Sequence, residues 1–176
     1  MTNPSPASRI QDNLPELFKA NLAPGDAYIR FQLTSNITAL ISMQQVQGSL
    51  IVDAQKVTPL PSMPEFVIGM INSRDRVFCL FDLAQLLTLP SDLSSPRQYQ
   101  VIVLQTVAEQ PIYIGLAVSA LQGIVRLTAK QIQSSLDTVV SNLTAFTSGT
   151  VQEQEITIPV LEFNRILKAL TAVEHN

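Results

Sequence analysis

Hydrophobic and polar residues alternate through AYIRFQLT, with Ile29, Phe31 and Leu33 on one side and Arg30 and Gln32 on the other. A period of two with one apolar side predicts a half-buried β-strand. ITALISMQQVQGSLIV continues this texture and predicts two strands, or one bent strand with Gly48 at the bend. KVTPLPSMPEF carries Pro59, Pro61 and Pro64, which excludes both a helix and a central strand. It is similar to a proline-rich peptide ligand, but a connector crossing between strands is the reading preferred. FVIGMI and VFCLFDL are apolar runs flanking Asn72-Ser73-Arg74-Asp75-Arg76, the pattern of a hairpin. Asp82 then precedes LAQLL, where Leu83, Leu86 and Leu87 recur at helical spacing. A short helix with an acidic residue at its N-terminal end follows from that. Ahead of these elements, residues 1–26 are rich in Pro, Asn, Ala and Ser and end in Pro24-Gly25 before Asp26. They read as a flexible tail with a turn or two of helix carried by Ile10, Leu14, Leu17 and Phe18.

The second half repeats the first. At an offset of 80 residues Phe66 meets Phe146, Gly69 meets Gly149, Asp82 meets Glu162, and Leu86-Leu87 meet Ile166-Leu167. At an offset of 75, Val46-Gln47-Gly48 meets Leu121-Gln122-Gly123. The order of apolar, glycine and acidic positions predicts two copies of one β-rich unit, over 27–100 and 101–176. Units of this size bury only about 60–65% of their extended-chain surface, so they are expected to pack together or exchange strands. Many short strands argue for small barrels over a parallel sheet.

Composition narrows the chemistry. Eleven Lys and Arg against fourteen Asp and Glu leave a net charge of −3, a poor balance for gripping phosphate backbones, so nucleic acid is set aside. Hydrophobic residues make up 46% and charged ones only 14%, below the usual quarter or so. That fits equally a surface partly kept for partners and a Gln-rich habit of the source genome. The one Cys, Cys79, excludes an intrachain disulfide, and the one His, His175, stands next to last. Neither a triad nor a zinc site of the usual kinds can be built from them. Glycine-rich phosphate loops are also missing. Most familiar catalytic chemistry is thus absent, and no metal or cofactor is expected. No secretory leader or membrane-spanning stretch is read, IYIGLAVSAL being too short for one.

VTPLPSMPEFVIGMINSRDRVFCLFDLAQLL resembles the signature segment of CheW-like domains, adaptors of bacterial chemosensory arrays. That signature runs from a Pro-containing connector through hydrophobic-x-Gly and Asn-x-Arg-Gly to a strand entering Asp-Leu. Here the glycine is Gly69, the Asn is Asn72, the Arg is Arg74 and the Asp-Leu is Asp82-Leu83. QQVQG resembles the family's acidic-hydrophobic-x-Gly step, while ALQGIVRL and IPVLEFNRIL fall where a second barrel supplies its own versions. The resemblance covers residues 28 to 170. Departures are Asp75 for the usual Gly, Cys79 for the strand Pro that Pro159 retains, Gln45 for the acidic residue, and Val118-Ser119 for Val-Asp.

The resemblance implies a mostly β fold of two small SH3-like five-stranded β-barrels with short helices. It implies a cytoplasmic, non-enzymatic adaptor linking the tip of a chemoreceptor to the regulatory domain of a CheA-type histidine kinase. A groove between the barrels would receive the receptor tip, and barrel ends would meet kinase or further adaptor copies. Arg74, in a predicted hairpin, is the first candidate contact: an exposed guanidinium can fork onto a carboxylate, whereas a turn charge paired with Asp75 is its plain alternative. Asn72 is expected to organise its own turn. The resemblance places Met43, Val46 and Gly48 on a strand lining the groove, although a strand residue of this kind is more often simply core, and it makes Gln45, Gly69 and Asn72 further partner-binding candidates. Cys79 reads as an inert buried thiol, and Glu153 and Glu155 as a charged loop. Two other classes stay open: an assembly module of this fold outside receptor–kinase coupling, and a small-ligand β-barrel sensor.

Overall fold

The structure is a computed structural model that describes residues 24–173. Most of the tail read over 1–26, and His175, lie outside the described residues. Among the described residues there are ten strands, β1 (Asp26–Thr34), β2 (Ile37–Ser42), β3 (Val46–Asp53), β4 (Val67–Ser73), β5 (Arg76–Asp82), β6 (Gln98–Gln105), β7 (Tyr113–Val118), β8 (Ala120–Leu127), β9 (Thr147–Glu153) and β10 (Ile156–Leu161). Two α-helices accompany them, α1 (Leu83–Leu86) and α2 (Phe163–Val173).

The strands form two five-stranded sheets, ordered β8-β1-β2-β10-β9 and β3-β6-β7-β5-β4. The orders are the same once β8, β1, β2, β10 and β9 are matched with β3, β6, β7, β5 and β4. Each sheet is antiparallel except for one parallel pair, β10 with β2 in one and β5 with β7 in the other. The β3–β7 sheet is continuous in sequence, whereas its counterpart joins β1 and β2 to β8, β9 and β10. The chain passes between sheets at two short places, a 3-10 turn at Met43–Gln45 and the single residue Ser119. Ser119 is pinned there, its amide donating to Gln32 O at 3.0 Å and its hydroxyl to Leu33 O at 3.2 Å.

Three apolar clusters follow from strand alternation. Ile29, Phe31 and Leu33 of β1 join Ile102, Leu104 and Leu116 of the other sheet in one core, closed by Leu83, Leu87, Phe163 and Ile166 of the helical segments. The opposite faces fill two smaller cores, Val101, Val103, Phe78 and Leu80 in the β3–β7 sheet and Leu40, Leu127, Ile158 and Val160 in its counterpart. Residues one apart in β1 and β6 thus serve different cores, as period-two geometry requires. The hydrogen-bond ladder of each five-stranded sheet runs between two edge strands. The connector after each first strand folds back along the far edge, through the bridges Thr58 to Met70 and Gln133 to Thr150.

The repeat is visible bond by bond. Asp82 N donates to Phe66 O at 2.8 Å, and Glu162 N to Phe146 O at 2.9 Å. Gly69 lies against the connector, where a methyl would sit 2.4 Å from Thr58 O; at Gly149 a methyl would sit 2.8 Å from Gln133 O. Asp82 caps α1 as its position predicts, accepting from Gln85 N at 3.3 Å and from the Ser91 hydroxyl. Glu162 opens α2 differently, its side chain pairing with Arg165 at 2.8 Å. Two expectations need correction. The break after β2 falls at Met43–Gln45, not at Gly48, which sits inside β3 where the ladder skips a residue between Val46 and Gly48. A bulge and a bend both call for glycine. The helix closing the second copy is also not short, running eleven residues.

Candidate functional site

The β4–β5 hairpin is as tight as a hairpin can be. Ser73 pairs with Arg76, leaving Arg74 and Asp75 as a two-residue turn with φ of +52° and +64°. Positive φ at both central positions is the turn whose twist matches its strands. Both side chains are exposed, and neither forms an ion pair among the described residues. The pairing of Arg74 with Asp75 weighed above is therefore not made.

Beside the hairpin the β3–β7 sheet opens into a cavity of about 210 Å³. Gly48 and Ser49 of β3 form one wall, and Ser73, Arg74 and Arg76 the opposite one, with Val103 and Phe78 at the floor. The Arg76 guanidinium stacks 4.1 Å above the Tyr113 ring, an arrangement that orients the cation without neutralising it.

The other predicted residues scatter. Gln45 lines a second cavity of about 310 Å³ at the β10–α2 junction, with its amide donating to Asn164 Oδ1 at 3.4 Å. Met43 and Val46 are half-buried against the shared core. Asn72 is exposed on the outward face of β4 opposite Val77, which is 63% exposed, and makes no cap to its turn among the described hydrogen bonds. Gly69 is buried under Thr58 and offers no surface. Gly48 and Arg74 are thus the pair the fold brings together. Arg76 and Tyr113, neither of them a candidate site residue from the sequence, complete the site. Their contact joins β5 to β7, strands whose starts, Arg76 and Tyr113, lie 37 residues apart in the chain, and no local pattern announces it.

Cys79 on β5 is half-buried, and burial raises its thiol pKa above the ordinary value, partly offset by a backbone hydrogen bond from Leu80. Burial, with Asp82 nearby, likewise raises the Tyr99 hydroxyl. No group of three or more metal-ligating side chains occurs among the described residues. No helix among them is long and apolar enough to cross a membrane.

Comparison with known proteins bears on this arrangement. The family model for the CheW-like domain matches residues 28–171. A curated relative, the chemotaxis protein CheW of Thermotoga maritima, is 26% identical over 125 residues, which is 71% of this chain and 78% of that protein. The crystal structure of the scaffolding protein TtCheW from Thermoanaerobacter tengcongensis superposes with a TM-score of 0.65 at 18% identity, covering 78% of this chain and 89% of that one.

Proposed function

The chain belongs to the family of CheW-like domains, and from that membership we propose that it is a non-enzymatic chemosensory adaptor coupling a chemoreceptor tip to the regulatory domain of a CheA-type histidine kinase. The family match across both sheets carries this reading. An adaptor of this kind works in the cytoplasm, recruited to membrane-associated receptor arrays, and makes or breaks no bond. It stabilises one arrangement of its partners over another.

The site residues divide by what they can offer. Arg74 stands free at a rigid tip and contributes a forked donor, the side-chain type that most often carries interface energy. Met43 and Val46, at the rim of the shared core, add an apolar surface that a partner helix can cover, with the methionine adapting its shape. Gly48 keeps the neighbouring wall free of a side chain.

The test is Arg74→Glu in the full chain. Receptor and kinase binding should weaken by about thirtyfold, the scale of an interface hot spot, with the thermal midpoint nearly unchanged because the side chain is exposed. Lost stability with binding intact would show a structural residue. Recovery of assembly components without receptor or kinase from lysate would favour a module outside this coupling.

A further inference from the structure

The two sheets match strand for strand, yet only one of the two equivalent mouths is open. Gly48 pairs with Val103 across β3 and β6, and Gly123 with Arg30 across β8 and β1, each beside a skipped glutamine, Gln47 or Gln122. Val103 and Arg30 are therefore structural counterparts. The last pairs of the two hairpins, Ser73 with Arg76 and Glu153 with Ile156, correspond in the same way.

In the sheet of β1 and β9 this position is filled by the chain itself. Arg30 bonds to the Glu153 carboxylate, and its Nε donates to Gln122 Oε1 at 3.0 Å. The Gln122 amide in turn donates to Gln32 Oε1 at 2.9 Å. In the β3–β7 sheet the arginine is replaced by Val103 and the glutamate by Ser73, so both the plug and its acid are gone. What remains is the cavity beside the hairpin, with Arg74 and Arg76 on its wall and no carboxylate among its lining residues. The hydroxyls of Ser49, Ser73 and Tyr113 supply further donors there.

We infer that this mouth is a socket for one Asp or Glu side chain carried on a loop of a partner protein, which takes the place that Glu153 fills in the other sheet. Arg76, held over Tyr113, is its principal cation, and Arg74 closes over it from the turn. A single carboxylate suits the opening because the counterpart mouth holds one, Glu153, bonded to Arg30. Assigning the carboxylate to a protein rests on the adaptor reading; the socket itself does not.

The probe is a blocked Gly-Gly-Glu-Gly-Gly peptide, with Gly-Gly-Gln-Gly-Gly as its neutral twin, titrated into the isotope-labelled full chain. Side-chain NMR signals of Arg76 and Arg74 should respond saturably to the Glu peptide, at least about tenfold more weakly to the Gln peptide, and less as salt is raised. Arg30 should not respond. Ser73→Glu combined with Val103→Arg copies the internal plug into the open mouth and should abolish the response, and Arg76→Gln should do so by removing the cation without filling the site. Equal response to the two peptides, no response to either, or a response that survives in folded Arg76→Gln overturns the inference. Receptor and kinase take no part, so its failure is separable from a failure of the adaptor reading.

Discussion

Asp75 holds a left-handed backbone, φ +64°, at the second position of the β4–β5 turn. Without the contact of Cβ with its own backbone, glycine enters this region freely. Asp75→Gly should therefore raise stability by about 0.5–1 kcal/mol, seen as a higher urea midpoint with an unchanged slope. A lower midpoint would mean that the Asp75 side chain contributes something beyond its turn. Cys79 lies on the same hairpin, and burial raises its thiol pKa. The unfolded chain therefore loses this proton first, and the contribution of the group to stability falls as pH rises through the ordinary thiol range, near about 8.5. Native protein at pH 8 should react with iodoacetamide more slowly than a free thiol, and urea should restore the ordinary rate.

At the scale of elements, Gly69 fixes how the connector returns along β4. With φ +152° and a methyl placed 2.4 Å from Thr58 O, Gly69→Ala should cost about 2 kcal/mol or more, measured by chemical denaturation. An alanine tolerated within about 0.5 kcal/mol would show that the connector moves freely. Elements of this kind were largely legible in the sequence. Alternation in β1, the polar break between β4 and β5, and Asp82 ahead of the leucines each state a local rule that local geometry obeys. The repeat was legible too, because the same hydrogen bonds recur at Phe66 and Phe146. Period two tells which face a residue takes but not which strand lies next to it, so the parallel pairs β5 with β7 and β2 with β10 could not be read. For the same reason Arg74 was found in the sequence while Tyr113, stacked under Arg76, and the plug at Arg30 were not: register between distant strands puts them where they are.

For the molecule as a whole, sheet membership does not follow the two halves of the chain. A fragment of residues 27–100 lacks β7 and most of β6, and one of 101–176 lacks β1 and β2. Each leaves a sheet without its middle strands and the shared core without half its wall. Neither fragment should fold alone, whereas the full chain should unfold in one transition with calorimetric and van't Hoff enthalpies equal. Two separable transitions, or a fragment with native dispersion of amide signals, would contradict this. The sheets are joined by a three-residue turn and by Ser119 alone, with a common interior between them. That joint is short in chain length and backed by one core. Partners docked at the arginine-bearing tip and on the opposite sheet would be held like two beams on a single bracket.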